Sequence, residues 1–336
     1  MTARTLADIA RLAGVSRTTA SYVVNGQAEA RRISSATVAR VNAVIAEHDF
    51  RVDARAAALR RGETRTLGLI LPDLENLSYA RLAKHIERGA RRAGYQLFVV
   101  DSDDDPDTER TLVAALRARR CDALIVASCL SPDDPFYAEI VADGLPVIGF
   151  DRPLDPTRLC SVASANESAA YELASAVRSR INGTALWLDA VPWLSITQRR
   201  RAGYERALAA RGASSSAACT GVRYDRATGA RLMQAYLAEH APPAAVITAA
   251  YPLLDGALDV LLDHGTSRPK QALPQLATFG DHRLLDFLPT TVHTMAQQHD
   301  ILANQVLKRL WAALADEYLP GHDRIPRVLR RRDNRP

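Results

Sequence analysis

Residues 5–26, TLADIARLAGVSRTTASYVVNG, contain two short helical patterns separated by a Gly-Val-Ser turn. The first repeats apolar residues at the spacing of one helix face, at Leu6, Ile9, Ala10 and Ala13. Gly14 ends this pattern, and Ser16 is suited to the N-cap of a second helix that finishes at Asn25-Gly26. Two short helices joined by such a tight turn predict a helix-turn-helix.

A third helix is expected after this pair. Ser34 or Ser35 would cap it, and its inward face would carry Val38, Val41, Ile45 and Phe50. Since residues 1–60 contain no strand-like run, we predict an all-α headpiece over residues 1–50. Residues 51–62 are rich in alanine and arginine and have helix-forming composition, but they are too few to form a stable helix alone. This segment would fold only when docked, and a flexible linker is the alternative.

From Thr66 onward, short apolar runs alternate with amphipathic helical stretches. The runs are Thr66–Leu71, Gln96–Val100, Ala123–Ala127, Pro146–Phe150, Ala185–Leu188, Ala245–Thr248 and Gln275–Phe279. This alternation predicts an α/β fold with doubly wound parallel sheets covered by helices on both faces, and there are enough strands for two sheets. Ligands of such folds bind beyond the carboxyl ends of the strands.

The net charge of +5 is concentrated near the N-terminus. Residues 1–66 hold eleven arginines and six acidic residues, so the other 270 residues are neutral overall. A basic segment on a neutral body favours binding to a phosphate backbone, although a solvated basic face is an alternative.

Several other functions are not supported. No apolar stretch reaches the roughly 20 residues of a membrane span, and the N-terminus lacks a secretion signal, so we expect a cytoplasmic protein without membrane contact. The four cysteines and eight histidines are scattered, so no metal or cofactor is expected. Motifs for a phosphate loop, a nucleophile elbow and dinucleotide binding are absent, so we do not expect an enzyme. Residues 101–105, DSDDD, are interpreted as a solvated acidic loop rather than a metal site.

Taken together, the headpiece motif, the Ala54–Leu59 segment and the α/β body resemble the lac/galactose repressor family over essentially the whole chain. The stretches Ala13–Val23, Pro72–Asn76 and Ala277–Asp281 are most similar to its fructose-responsive members. The resemblance implies a hinge helix and linker at residues 51–64 and a periplasmic-binding-protein-like core at residues 65–336. Its N-subdomain would comprise residues 65–162 and 292–318, and its C-subdomain residues 163–291 and 319–332.

Several residues are expected to bind DNA. Arg17 and Thr18 lie at the start of the second helix, the end that reaches base edges in the major groove. The resemblance implies that Ala56 and Leu59 enter the minor groove, where apolar side chains kink the duplex. The full set is Thr5, Ser16, Arg17, Thr18, Thr19, Ser21, Tyr22, Asn25, Arg32, Ala56 and Leu59.

A second set is expected to bind a small-molecule effector. Asp151 and Arg152 follow one predicted strand and Asp281 follows another, and Arg200 matches an arginine that sugar-binding family members use. Ser78 and Arg152 would hold a phosphate. The full set is Ser78, Tyr79, Asp151, Arg152, Arg200, Tyr251 and Asp281. Many family members carry an Asn or Asp where this sequence has Ala249-Ala250-Tyr251, so we expect fewer carboxyl acceptors than in those members, more arginines and a phosphorylated ligand.

We therefore expect a transcriptional regulator that binds a palindromic operator as a homodimer and releases it on binding a phosphosugar. Fructose 1-phosphate is expected, with fructose 1,6-bisphosphate as an alternative. Other readings left open are a family member that responds to another sugar or to a nucleobase, and a non-regulatory sugar-binding protein. A dimer of dimers is also open, although residues 330–335 lack a leucine heptad and are predicted to form a disordered basic tail.

Overall fold

A computed structural model describes residues 5–50, 63–131, 133–178, 183–210, 216–267 and 273–332. Its contacts divide into two units, Met1–Thr64 and Arg65–Pro336. In the described part of the chain, no helix combines the length and apolar character needed to cross a membrane.

The first unit is a three-helix headpiece made of α1 (Leu6–Leu12), α2 (Arg17–Val24) and α3 (Ser35–Glu47). Each helix begins at a hydroxyl N-cap: Thr5 accepts from the Asp8 amide, Ser16 from Thr19 and Ser34 from Thr37. The predicted apolar faces pack into one small core around Ile9, Ala13, Val23 and Val41. The helix-turn-helix prediction is thereby confirmed.

The second unit contains two six-stranded sheets within its described residues. The first sheet is entirely parallel, in the order β11-β5-β4-β3-β1-β2. Its strands are β1 (Thr66–Leu71), β2 (Gln96–Asp101), β3 (Ala123–Val126), β4 (Val147–Phe150), β5 (Cys160–Ser164) and β11 (Gly321–Ile325). Its helices are α4 (Leu77–Arg92), α5 (Pro106–Ala118), α6 (Phe136–Ala142) and α11 (His299–Leu314).

The second sheet has the order β12-β10-β9-β8-β6-β7 and is parallel except at β12. Its strands are β6 (Ala185–Ala190), β7 (Ser216–Gly221), β8 (Ala245–Thr248), β9 (Gln275–Phe279), β10 (Val292–Ala296) and β12 (Val328–Arg332). Its helices are α7 (Asn166–Arg178), α8 (Ser195–Ala209), α9 (Arg226–Glu239) and α10 (Tyr251–Ser267), with a 3₁₀ turn at Arg283–Phe287. The doubly wound fold is thus confirmed.

The chain passes between the sheets after β5, after β10 and after β11. The first subdomain therefore comprises residues 65–164 and 299–325, and the second comprises residues 166–296 and 328–332. Our predicted boundaries were wrong at two places. The strand β10 belongs to the second sheet, because it pairs in parallel with β9. Residues 321–325 belong to the first sheet, because β11 pairs with β5.

The predicted disordered tail was also wrong for its described part. Residues 328–332 form β12, the edge strand paired antiparallel with β10. Arg330 bonds to Asp281, and Arg332 bonds to both Asp281 and Asp286. These ion pairs hold the strand against the second sheet. Its basic composition alone does not predict them.

Candidate functional site

The headpiece presents the beginning of α2 to solvent. Arg17 and Thr18, expected to reach base edges, are exposed there. Ser16 and Thr19 are engaged with each other: the Ser16 Oγ atom accepts from the Thr19 amide at 3.0 Å and lies 2.8 Å from the Thr19 hydroxyl. Ser16 and Thr19 therefore cap the start of α2. The side chains exposed to solvent there are those of Arg17 and Thr18.

The other predicted DNA contacts surround the same helix. The Asn25 amide donates to the Ser21 carbonyl at 2.7 Å, closing the end of α2. The Arg31 guanidinium lies 4.8 Å from the centre of the Tyr22 ring, and Arg32 is exposed. Thr5 is exposed at the N-cap of α1. Ala56 and Leu59 lie outside the described residues.

A cavity lies between the two subdomains, at the carboxyl ends of the strands of both sheets. Its charged lining comprises four arginines and four aspartates, namely Arg152, Arg200, Arg223, Arg327, Asp73, Asp104, Asp151 and Asp225. Of the predicted effector residues, the structure brings together Ser78, Tyr79, Asp151, Arg152 and Arg200. The loops after β1, β2 and β7 also supply aspartates that we had not assigned to the cavity.

Asp151 is the centre of the buried polar network. It receives a hydrogen bond from the Tyr79 hydroxyl at 3.1 Å and one from the Gln297 amide at 2.8 Å. The Ser78 hydroxyl in turn donates to the Gln297 oxygen at 2.6 Å. Burial alone would raise the pKa of Asp151, but Arg327, Arg200 and the Gln297 bond hold it below its ordinary value. Asp151 is therefore a carboxylate with little capacity left for a further cation.

Arg200 and Arg327 lie around the Phe279 ring, with their guanidinium carbons 4.5 and 5.3 Å from its centre. Arg200 donates to two neutral acceptors, the Asn166 side chain at 2.9 Å and the Ala249 carbonyl at 2.7 Å. Arg327 is 3.8 Å from Asp151, and its buried Nε atom has no hydrogen-bond partner. Burial and the nearby Arg200 charge lower the pKa of Arg327 to about 9. This pair therefore carries positive charge that the protein leaves uncompensated.

The other two arginines are paired. Arg152 binds Asp104 through both terminal nitrogens, one of them at 3.2 Å, and the side chains are 6% and 13% exposed. Arg223 from the second subdomain contacts Asp103 of the first at 2.5 Å and Asp225 at 3.5 Å. Because Asp103 and Arg223 belong to different subdomains, their contact bridges the mouth of the cavity.

Two predicted effector residues do not line the cavity. Asp281 accepts from Thr294, Arg330 and Arg332, so its carboxylate supports β12 rather than a ligand. Tyr251 stacks on His282, with ring centres 5.3 Å apart. Both residues lie close to predicted strand ends. The side chain of Asp281 contacts β12, and that of Tyr251 contacts the turn after β9.

Sequence reasoning missed Asp104, Gln297 and Arg327. Asp104 follows β2 and could have been found by the strand-end rule used for Asp151. Gln297 and Arg327 lie on two of the crossings between sheets, next to strands that the apolar pattern did not reveal. Among the described residues, no cluster of histidine, cysteine and acidic side chains could hold a metal ion.

Comparisons with known proteins place the chain in a family. The model of the periplasmic binding proteins and sugar binding domain of the LacI family matches residues 64–297, and that of the lacI family of bacterial regulatory proteins matches residues 5–53. The fructose operon regulatory protein of Vibrio cholerae is 42% identical over 97% of this chain and 99% of its own. The catabolite repressor/activator of Escherichia coli is 42% identical over 97% and 98%.

Among solved structures, the Cra transcriptional dual regulator of Pseudomonas putida in complex with fructose 1-phosphate is similar. It has a TM-score of 0.76 and 44% identity over 80% of this chain and 98% of that one. The headpiece, the two-sheet core and these matches agree, and the chain therefore belongs to the lacI family of bacterial regulatory proteins.

Proposed function

We propose that this protein is a cytoplasmic transcriptional regulator that binds a palindromic operator as a homodimer and releases it on binding fructose 1-phosphate. The observation that carries the effector assignment is the Arg200–Arg327 pair, two buried guanidinium groups that share the single carboxylate of Asp151. A phosphate would supply the missing negative charge through charge-assisted hydrogen bonds. We place it here rather than at Ser78 and Arg152, where the sequence led us to expect it, because Arg152 is paired with Asp104. Asp151 and Asp104 offer carboxylate oxygens to sugar hydroxyls at the same cavity.

The cavity favours a phosphosugar over a nucleobase. A free nucleobase has no phosphate to compensate the charge of Arg200 and Arg327. Of the three aromatic residues among the lining, Phe279 already has two guanidinium groups beside its ring, and the hydroxyls of Tyr79 and Tyr224 bond to Asp151 and Thr197. The relatives named above, a fructose operon regulatory protein and a regulator solved in complex with fructose 1-phosphate, support the same choice.

Release follows from linkage. If the ligand-bound core and the operator-bound headpieces favour different conformations of the dimer, each ligand weakens the other by the same coupling free energy, typically about 1–3 kcal/mol. At a fixed salt concentration this corresponds to a five- to 150-fold loss of operator affinity.

The test uses fluorescence anisotropy with an operator selected from a random library by the full-length protein. We expect fructose 1-phosphate to release the DNA, and fructose or inorganic phosphate alone to fail at the same concentration. The ester should be recovered intact. Operator binding that ignores the ester, or turnover of the ester, would contradict the proposal. Salt is held constant, because phosphate-backbone binding varies steeply with it.

The DNA-binding half is tested separately. Arg17→Ala should weaken binding to the selected operator by about 1–3 kcal/mol, as expected for loss of a base contact. Arg11→Ala is the matched control, because Arg11 is an exposed arginine on α1. Equal losses in the two variants would show that Arg17 contributes charge alone.

A further inference from the structure

The charges of the cavity are unevenly distributed. Around Phe279, Arg200 and Arg327 face one carboxylate, Asp151. Arg152 is instead neutralised by Asp104, which binds both of its terminal nitrogens, and both side chains are buried. Its Nε atom, like that of Arg327, has no hydrogen-bond partner, so the two regions differ in charge and not in this donor. The cavity thus has one region with spare positive charge and one in which the positive charge is already compensated.

Asp104 is held firmly in this position. Asp103 and Asp104 adopt left-handed backbone conformations, with φ of 53° and 55°. The turn is anchored on both sides: the Ser102 amide donates to the Leu71 carbonyl at 2.8 Å, and Asp105 caps α5 by accepting from Thr108 at 2.7 Å. Since both flanks are fixed, the turn holds the Asp104 backbone beside Arg152, and the two bonds to Arg152 hold its carboxylate.

A phosphate at Arg152 would meet this carboxylate at short range. Two like charges a few ångströms apart repel strongly where water is excluded, and displacing Asp104 would leave a carboxylate without its partner. A sugar hydroxyl has no such conflict, because it can donate to the carboxylate while Arg152 stays paired.

We propose that Asp104 is a specificity-determining residue that restricts the cavity to sugar esters with one phosphate. Because Asp104 is paired with Arg152, no uncompensated cation is available there for a second phosphate. A sugar hydroxyl can bind at the same position. This inference rests on the proposed function, because it assumes that the first phosphate binds beside Arg200 and Arg327.

The test is calorimetric titration of the full-length protein with fructose 1-phosphate and with fructose 1,6-bisphosphate. The native protein should prefer the monophosphate by at least tenfold. In Asp104→Asn the ratio of the two affinities should fall by at least tenfold, mainly through tighter binding of the bisphosphate. Asp104→Glu, which keeps the charge, should retain the preference. Asp143→Asn is the matched control, because Asp143 forms an exposed pair with Arg117 in the same subdomain.

The outcomes are separable. If the native protein binds neither ester, the proposed function fails. If it binds the monophosphate tightly but the ratio is unchanged in Asp104→Asn, or changes equally in Asp104→Glu, the role given to Asp104 is wrong. Should Asp104→Asn not fold, Asp104→Gly removes the carboxylate, leaves Arg152 in place and suits the left-handed backbone at this position. That variant is also expected to lose the preference, and retention of the preference would overturn the proposal.

Discussion

Arg327 carries a buried positive charge that the protein itself pairs poorly. Its guanidinium is buried, its Nε atom has no partner, and its closest carboxylate is 3.8 Å away and already bonded to Tyr79 and Gln297. Burial disfavours a charge that is not well paired. An incoming anion would therefore gain more here than at an exposed arginine.

Arg327→Gln should reduce the affinity for fructose 1-phosphate by about 10- to 100-fold, the usual effect of losing a hydrogen bond to a charged group. Operator affinity without ligand should not change. Calorimetry and anisotropy measure the two quantities. Arg324→Gln is the control, because Arg324 is exposed on the preceding strand. A similar loss of ligand affinity in both variants would contradict the assignment.

His299 makes stability depend on pH. Its Nε2 atom is 3.0 Å from the Ser78 hydroxyl, and Arg81, His85, Arg327 and Asp151 surround it. Burial, followed by Arg81 and Arg327, lowers its pKa from 6.5 to about 4. The unfolded chain therefore binds a proton between pH 4 and 6.5 that the native protein does not, so stability rises with pH across this window.

The slope from this single proton is at most about 1.4 kcal/mol per pH unit. His299→Gln should remove that part of the slope while leaving the dependence above pH 6.5 unchanged. Urea unfolding at pH 4.5, 5.5, 6.5 and 7.5 measures it. Parallel stability curves for the native protein and the variant would refute the role of His299.

Among the elements, α9 and α10 are in unusually close contact. A Cβ atom added at Gly256 would lie 1.8 Å from the Arg226 carbonyl oxygen, and one at Gly229 would lie 2.2 Å from the Leu253 carbonyl oxygen. Two glycines thus let the helix backbones approach, and ion pairs of Arg226 with Asp255 and Asp259 join the same helices.

Gly256→Ala should lower the free energy of unfolding by more than about 2 kcal/mol, because rigid backbone must move. Gly89→Ala is the contrast: its new Cβ atom would meet only the end of the Leu307 side chain, at 2.1 Å. That side chain can rotate, and alanine gains about 1 kcal/mol in helix propensity. Urea unfolding measures both variants. Equal losses would mean that the α9–α10 contact is not rigid.

The elements also show what the sequence could and could not predict. Runs such as Thr66–Leu71 and Ala245–Thr248 were found because both faces of a central parallel strand are buried. The edge strands β7, SAACTG, and β11, GHDRI, carry small or polar side chains, so only distant pairing partners make them strands. Asp151 and Arg152 were identified from the strand end they follow, whereas Arg327 depends on where β11 leaves its sheet.

At the scale of the whole core, the two subdomains meet across the cavity through few contacts. Arg223 donates to the Asp103 carbonyl at 3.1 Å as well as to its carboxylate, and Arg81 donates to the Asp281 carbonyl at 3.1 Å. Asp103 is 79% exposed, and exposed pairs contribute about 0.2–1 kcal/mol. These exposed bridges therefore contribute little to the free energy that holds the two subdomains together.

Arg223→Gln should weaken fructose 1-phosphate binding two- to fivefold, and the effect should shrink at high salt, which screens exposed charges. Calorimetry at two salt concentrations measures it. Arg117→Gln is the control, because it breaks an exposed ion pair with Asp143 inside one subdomain. If both variants bind the ester alike, the Arg223–Asp103 contact does not contribute to ligand binding.

The order in which the strands are made has a consequence for biosynthesis. Residues 321–332 supply β11 to the first sheet and β12 to the second. Neither sheet can therefore be complete before this short segment has been synthesised. The headpiece helices are translated long before it, and domains fold as units in the order of their synthesis. A nascent chain thus carries a complete helix-turn-helix while neither half of its core is finished. A nonsense codon just before residue 321 therefore removes an edge strand from each sheet at once.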